Sequence, residues 1–455
     1  MYGRIRRQIG AGFGGDGLKA KAFKGGALLG CGSVAEQSAR FGRNIILARL
    51  LGPEAFGTMA IAISAAAVVN ALADVGVAEA VIRHPRGGER AYLNAAWWLA
   101  LGRGIAIYSA IFVAAPWISR FYSIPELLPL LRITLLSFVF TSAMSPRALL
   151  AVKQMDFRRW ALITHGGAIC GVITTVILGF LTRNVWALAI GYCAEGAFRC
   201  VASYIVCPAL PSLGCDKGAV WDLLDFSKKL LGSSFLNFVF LRADVFVLAK
   251  LYSPTRLGVY IIAVNLIQTP TSFIVGIFNK ILLPTYAQVQ NDNQRTNKIY
   301  VQLASLIVFV GLIVVIVAFT FGRGALGLIY GKRYDIASGP MIAAAFVAVI
   351  MLLNNAITNI FYARGVPQWH RLSQIIMATT MIAAIYPLTK WFGLTGGQLA
   401  CLASMACGFC FQLIRLNQLT ALNKSQYRRI LFFSTGTSLR RAASLLRARR
   451  EHAKV

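Results

Sequence analysis

Long apolar runs alternate with short polar breaks along the whole chain. Windows of about 20 apolar residues, the length that crosses the roughly 30 Å hydrocarbon core, predict twelve helices at 26–50, 54–81, 91–115, 126–150, 158–181, 185–207, 221–250, 255–284, 298–322, 337–363, 370–391 and 395–420. Pro129 and Pro270 mark the two places where a kink is expected. No connection exceeds about 20 residues, which leaves no room for a soluble domain between helices. Function must therefore be sought inside the bundle.

The pattern repeats. A shift of 201 residues lays "ILARLLGPEAFGTMAIA" over "VLAKLYSPTRLGVYIIA", so that Leu47, Ala48, Pro53 and Gly57 recur as Leu248, Ala249, Pro254 and Gly258, with Arg49 matched by Lys250. Helix one thus returns as helix seven. Six helices per repeat is an even number, so both halves enter the membrane from the same side. The expected fold class is an all-α polytopic membrane protein with two six-helix lobes around a central cavity. Its expected parts are a basic tail (1–24), an N-lobe (25–207), a linker (208–220), a C-lobe (221–420) and a second basic tail (421–455). The linker is placed by the Pro/Gly-rich break "PALPSLGCDKG". In the second tail Leu439, Ala442, Ala443 and Leu446 share one helical face among arginines, the pattern of a basic helix lying on an anionic leaflet.

Polar residues interrupt the apolar runs with helical spacing. Ser33, Glu36, Gln37, Arg40 and Asn44 form one stripe on helix one, with Glu36 placed one turn before Arg40 in the favourable order for an ion pair. Asn70 with Asp74 on helix two, and Asn265, Gln268, Thr269, Ser272 and Asn279 on helix eight, repeat the theme. So do Asn354, Asn355, Thr358, Asn359 and Tyr362 on helix ten. Such stripes face one another or water. Five arginines, Arg40, Arg43, Arg103, Arg199 and Arg242, lie inside helices, where each would cost about 2.5–3.5 kcal/mol if it faced lipid. A water-filled cavity carrying several of them suits a pyrophosphate, because guanidinium meets phosphate oxygens bidentately and keeps its charge. Glu36, Gln37, Asn44, Asn70, Asn265, Gln268, Asn354, Asn355 and Asn359 are the expected polar lining. Of the intramembrane acids Asp74, Glu79, Glu195 and Asp244, we single out Asp74 and Asp244 as candidates for a coupling Na⁺ or H⁺.

Composition agrees with the membrane reading: 57% of the residues are hydrophobic, 14% are charged and the mean hydropathy is +0.64. The net charge of +30 invites a nucleic-acid reading, but topology accounts for most of it. With the N-terminus inside, 31 of the 46 Lys and Arg fall in the tails and cytoplasmic loops, ten on the opposite side and five in helices. No RNA- or DNA-binding motif accompanies them.

The runs "ILARLLGPEAFG", "ADVGVAEAVIR", "KQMDFRRWA", "RADVFVLAKLYSPTRLGVY" and "LLPTYAQVQND" span nearly the whole chain. In them it resembles the polysaccharide transporter branch of the multidrug, oligosaccharidyl-lipid and polysaccharide flippase superfamily, departing at Ser253, where the second repeat lacks the glycine of Gly52. The resemblance implies twelve to fourteen helices, a cationic central cavity and a location in the bacterial inner membrane. It also implies the turning over of polyprenyl-pyrophosphate-linked oligosaccharide by alternating access, for exopolysaccharide or O-antigen export. Partners would be the lipid-linked oligosaccharide, membrane lipids and the polysaccharide polymerase and export machinery. Alternatives in the same superfamily are a lipid II flippase and a cation-coupled small-molecule antiporter; the embedded arginines argue against a cationic cargo.

Other patterns carry less. "GFGGDG" matches a dinucleotide loop without the strand and helix that would frame it, and the "LLGC" before Ser33 follows Lys24 too closely for a lipoprotein signal. Nine cysteines and four scattered histidines give no metal or catalytic spacing, so no catalytic residue, metal or cofactor is expected. The orientation can be checked directly. In spheroplasts of a strain whose variant keeps only Cys215, an impermeant maleimide should react only after lysis, as it should with a cysteine placed in the 440s. Strong labelling before lysis would reverse the assigned topology.

Overall fold

A computed structural model describes residues 18–73, 77, 81, 84–154, 156–212, 214, 216–230 and 233–421. The helices, in chain order, are α1 (Leu18–Leu51), α2 (Pro53–Ala73), α3 (Arg90–Tyr122), α4 (Leu127–Ser142), α5 (Ala148–Lys153), α6 (Phe157–Thr182) and α7 (Trp186–Val206). They continue as α8 (Lys217–Leu230), α9 (Ser233–Leu251), α10 (Pro254–Gln288), α11 (Asn293–Tyr330), α12 (Ser338–Ala363), α13 (Pro367–Phe392) and α14 (Leu394–Thr420). Seven of them are long and apolar enough to cross a membrane, and α2 and α4 add shorter apolar stretches. The protein is an all-α polytopic membrane protein. On α6 the side chains of Leu162, Ile169, Ile173, Ile177 and Phe180 are exposed at helical spacing, while Ala168, Gly171, Thr175 and Gly179 are buried. Apolar out and small in is the inverse of a soluble helix, as lipid requires.

Several boundaries differ from the expected ones. Helix one begins at Leu18, inside the expected tail, and α8 begins at Lys217, inside the expected linker. The run 126–150 is not one helix: α4 stops at Ser142 ahead of Pro146, whose predecessor is sterically biased out of helical geometry, and the chain restarts as α5. Ser145 fixes the break, its peptide N–H donating to Ser203 Oγ at 2.8 Å and its hydroxyl to the Cys207 carbonyl at 2.6 Å. The run 221–250 is described as two helices, α8 and α9, and the run 54–81 as helix only to Ala73 with isolated helical residues beyond. By contrast, α10 stays helical through Pro270 and Pro284. Asp74, Glu79, Cys215 and the tails 1–17 and 422–455 lie outside the described residues, as does the side chain of Asn70.

The first six crossings pack as one group, through α1 on α6, α6 on α7, α7 on α4, α4 on α3, and α2 on α4 and α3. The later ones form a second group, α9 on α13, α13 on α14, α14 on α12 and α12 on α10 and α11. The groups meet chiefly where α2 lies along α10. There Gly57 and Gly258, equivalents under the 201-residue shift, face each other: a methyl group at Gly57 would overlap the Pro254 carbonyl, and one at Gly258 would overlap the Pro53 carbonyl. Two further contacts obey the same symmetry. Arg49, ending α1, donates to the carbonyls of Leu328 and Ile329 in the last turn of α11, and Lys250, ending α9, donates to the Phe121 carbonyl in the last turn of α3 at 2.6 Å. Cations placed on helix C-termini are stabilised by the unpaired carbonyls there.

The turns beside this contact are not identical. Gly52 takes φ +77°, whereas Ser253 is extended at φ −63° and ψ 154° and caps α10 through its side chain, which explains why the second repeat needs no glycine. Two apolar clusters bridge the groups, one containing Leu47, Phe56, Val259 and Leu326, the other Ile61, Leu127, Leu248 and Tyr260. At the far end one cluster, with Leu282, Tyr300, Ile357 and Leu416, stays within the second group, while another sets Tyr92 and Leu93 of α3 against Ala219 and Leu223 of α8, the helix that follows the first group in the chain. Among the described residues, the halves are therefore joined chiefly at the end where α1 and α9 finish. Gly57→Ala and Gly258→Ala should each destabilise the purified protein by about 3 kcal/mol, the upper range for overpacking, because a backbone cannot yield as a side chain can. Gly42→Ala, where an added methyl meets nothing within 4 Å, should leave the melting temperature unchanged. A neutral Gly57→Ala would show that the crossing is loose.

Candidate functional site

The polar stripe of α1 is divided between two tasks. Its first half enters an ion-pair chain across three helices. Glu36 Oε1 accepts from Arg40 Nε at 3.0 Å, and Glu36 Oε2 lies 2.8 Å from His165 Nδ1 of α6, whose ring sits against Gly32. Arg40 Nη2 donates to Glu195 Oε1 of α7 at 2.7 Å, and the same oxygen accepts from Arg199 Nη2 at 2.7 Å. Two carboxylates are thus shared by two arginines and a histidine. Gln37, on the same helix, is half-buried and lines none of the three cavities described below.

Asn44, the last member of the stripe, and Arg43 beside it face a cavity of about 200 Å³ between the halves of the molecule, lined also by Arg242 and Asp244 of α9 and by Asn265 and Gln268 of α10. Arg43 donates from Nε and Nη2 to the neutral Asn44 Oδ1 at 3.3 and 3.1 Å. Among the described residues, neither Arg43 nor Arg242 is in ion-pair contact with a carboxylate. Asp244 is occupied elsewhere: buried at 7% exposure, it accepts from Tyr260 Oη at 2.5 Å and from the Val245 peptide N–H at 2.8 Å, and Tyr260 accepts in turn from Gln398 Nε2 at 2.7 Å. This arrangement leaves the guanidinium groups available to an anion while fixing the one carboxylate beside them.

Two more cavities flank it. One, of about 310 Å³, lies in the N-terminal half and brings Arg103 of α3 to Arg199 and Glu195 of α7, with Ser137 and Thr141 of α4. The other, of about 530 Å³, lies in the C-terminal half and carries Asn354, Asn355 and Asn359 of α12 with Asn279 of α10. The five arginines are therefore distributed: Arg43 and Arg242 on the central cavity, Arg103 and Arg199 on the N-terminal one, and Arg40 in ion pairs that tie α1 to α7. Spacing along the chain indicated the Glu36–Arg40 pair but not its two other members, since His165 and Glu195 are 129 and 155 residues from their partners. Tyr260 and Gln398, which hold Asp244, likewise gave no sequence signal beyond their place in apolar helices.

Residues 46–338 match a family described as polysaccharide biosynthesis protein. The lipopolysaccharide biosynthesis protein WzxC of Escherichia coli (strain K12) is 22% identical over 326 residues, covering 70% of this chain and 65% of that protein. The succinoglycan biosynthesis transport protein ExoT of Rhizobium meliloti (strain 1021) is 24% identical over 273 residues, covering 58% and 54%. The matched region thus spans less than two thirds of either relative. Among solved structures, the lipid II flippase MurJ in an inward closed conformation superposes with a TM-score of 0.72 at 13% identity, covering 88% of this chain and 89% of that one. An inward-facing multidrug resistance MATE family transporter gives 0.61 at 14% identity, covering 85% and 96%. At these identities the likeness is one of fold.

Glu195 is the hub of the ion-pair chain, which sets the expected response to its loss. Glu195→Gln should destabilise the protein by about 3 kcal/mol, the low end for removing one partner of a buried pair because Arg40 and Arg199 remain 24% and 26% exposed. Glu36→Gln should cost less, since Arg40 keeps Glu195. Thermal unfolding of the two variants in detergent checks the order; the reverse order would show that α1 is held mainly through Glu36 and His165.

Proposed function

This chain belongs to the polysaccharide biosynthesis protein family, and we propose that it moves polyprenyl-pyrophosphate-linked oligosaccharide repeat units across the bacterial inner membrane for exopolysaccharide or O-antigen export. The observation that carries the proposal is the pair Arg43 and Arg242, one from each half of the molecule, facing a shared cavity with no carboxylate in ion-pair contact among the described residues. A doubly charged phosphate ester bridging the two would tie its own position to the relation between the halves. Opening one side and closing the other then acts directly on the bound group, which is what alternating access requires. No covalent chemistry is called for, and the proposed role is transport.

The joined end of the two halves fits the same scheme. With both termini cytoplasmic, as the distribution of Lys and Arg favours, α1 and α9 finish on the periplasmic side. The Gly57–Gly258 crossing then closes the periplasmic face and the arginines are reached from the cytoplasm, where lipid-linked sugars are assembled. The apolar outer faces of the helices leave the polyprenyl chain in the lipid while the headgroup crosses. Asp244, bonded to Tyr260 beside Arg242, is the described candidate for Na⁺ or H⁺ coupling. A small-molecule cation antiporter is disfavoured by the two arginines on the same cavity, and the names of WzxC and ExoT favour surface polysaccharide over lipid II.

Substitution at Arg43 tests the reading with least structural damage, because this side chain has only a neutral hydrogen-bond partner among the described residues. Arg43→Gln should reduce polysaccharide export per inserted molecule at least about tenfold, the loss of one charge-assisted contact of about 1.5–3 kcal/mol. Arg43→Lys should restore part of it by returning charge without the bidentate fork. Full export by an Arg43→Gln, Arg242→Gln double variant would remove the basis of the proposal.

A further inference from the structure

The cavity of the C-terminal half differs in kind from the other two. Among the described residues its wall contains six amide side chains, Asn279, Asn354, Asn355, Asn359, Gln374 and Gln412, and no Asp, Glu, Lys or Arg. Three of them interlock. Asn279 Oδ1 accepts from Asn355 Nδ2 at 2.9 Å and from Asn359 Nδ2 at 3.1 Å, while Asn359 also donates to the Asn355 carbonyl at 2.9 Å. That leaves the Asn279 amino group without a partner among the described residues, on an exposed side chain at the cavity wall. Gln374 bonds no other side chain among the described residues. Asn354 and Gln412 are more than nine-tenths buried, yet Asn354 Oδ1 and Gln412 Oε1 accept no hydrogen bond among the described residues.

Amides that only hold helices together satisfy one another, because an unpaired amide inside a membrane is penalised. Here several retain spare donors and acceptors around one space. A neutral wall offering both donors and acceptors matches a ligand that is itself neutral and carries both, which is the chemistry of sugar hydroxyls; an ion would be desolvated there without a counter-charge. An aromatic edge completes the match. Tyr362, 46% exposed, packs edge-on against His370 with centroids 5.5 Å apart, and both rings line the cavity. The volume of about 530 Å³ lies within the ~300–1,000 Å³ of small-molecule sites.

The cavity is also placed to share a ligand with the arginines. Asn265 and Gln268 of the central cavity and Val275 and Asn279 of this one succeed each other along α10, with Gln268 and Val275 about 10 Å apart at 1.5 Å per residue. We propose that the amide-lined cavity of the C-terminal half is the subsite for the uncharged sugars of the substrate and that it selects among glycans, while the arginines hold the pyrophosphate. This rests on the reading of the substrate as a pyrophosphate-linked glycan.

Binding by the full-length chain in detergent separates the two parts. The probes are farnesyl pyrophosphate as its terminal methyl ester, which lacks sugar but carries the same charge as the sugar diesters, and farnesyl-pyrophosphoryl glucose, galactose and N-acetylglucosamine. At least one sugar probe should bind about fivefold or more tightly than the methyl ester, the gain of one or two neutral hydrogen bonds. Asn279→Leu should abolish that advantage and leave the affinity for the methyl ester unchanged. Gln374→Leu should do the same, and it disturbs no protein hydrogen bond if the first variant folds poorly. Arg43→Gln should weaken every probe equally. A sugar advantage that survives both Leu variants, or the lack of any advantage in the unaltered protein, would overturn the subsite. If Arg43→Gln has no effect while Asn279→Leu erases the sugar advantage, the pyrophosphate reading fails and the sugar site stands.

Discussion

The architecture depends on the backbone approach of α2 to α10 at Gly57 and Gly258. Two helices come this close only where neither presents a side chain, and here each glycine lies against the carbonyl of the proline that opens the opposite helix. Dispersion and weak carbonyl contacts at such a crossing are short-ranged, so the approach is either made in full or lost. The cations of Arg49 and Lys250, set on helix C-termini of the opposite half, reinforce it from both sides. With the halves pinned at one end, the polar faces of α1, α9 and α10 are left bordering a common interior.

That interior shows two ways for a membrane protein to carry arginine. Arg40 and Arg199 are neutralised by shared carboxylates and serve to bind α1, α6 and α7 into a rigid unit. Arg43, one turn from Arg40, bonds only the Asn44 amide among the described residues and turns to the central cavity. The difference between a structural and an available charge thus arises within one helical turn, and it comes from the placement of Glu195 on a neighbouring helix.

The all-α membrane fold, the internal repeat and the polar stripes were legible in the sequence because hydropathy, helical spacing and a 201-residue shift are all local or self-referential signals. The polar stripe of α1 was legible for the same reason, but its division was not: Glu195 and His165 reach it from other helices, and only packing decides which of Arg40 and Arg43 they meet. The break between α4 and α5 was hidden by hydropathy, which Pro146 and the Ser145 hydrogen bonds override. Asn279 and Asn359 could be assigned to polar faces from spacing alone, whereas their convergence on one wall depends on how α10 and α12 cross.

The symmetry of the glycine crossing bears on descent. A surface patch that pairs with its own copy about a twofold axis is what an isologous dimer uses, and a single six-helix ancestor could have associated with itself through this P-x-x-x-G face. In such a homodimer every position would be duplicated unchanged. Under the 201-residue shift Arg43 corresponds to Asp244, so the cavity now holds a cation and an acid at sites that two identical subunits would have been obliged to fill alike. Fusion of the halves into one chain released that obligation. The asymmetry of the interior, ionic on one side and amide-lined on the other, is a property that a dimer of identical halves could not acquire.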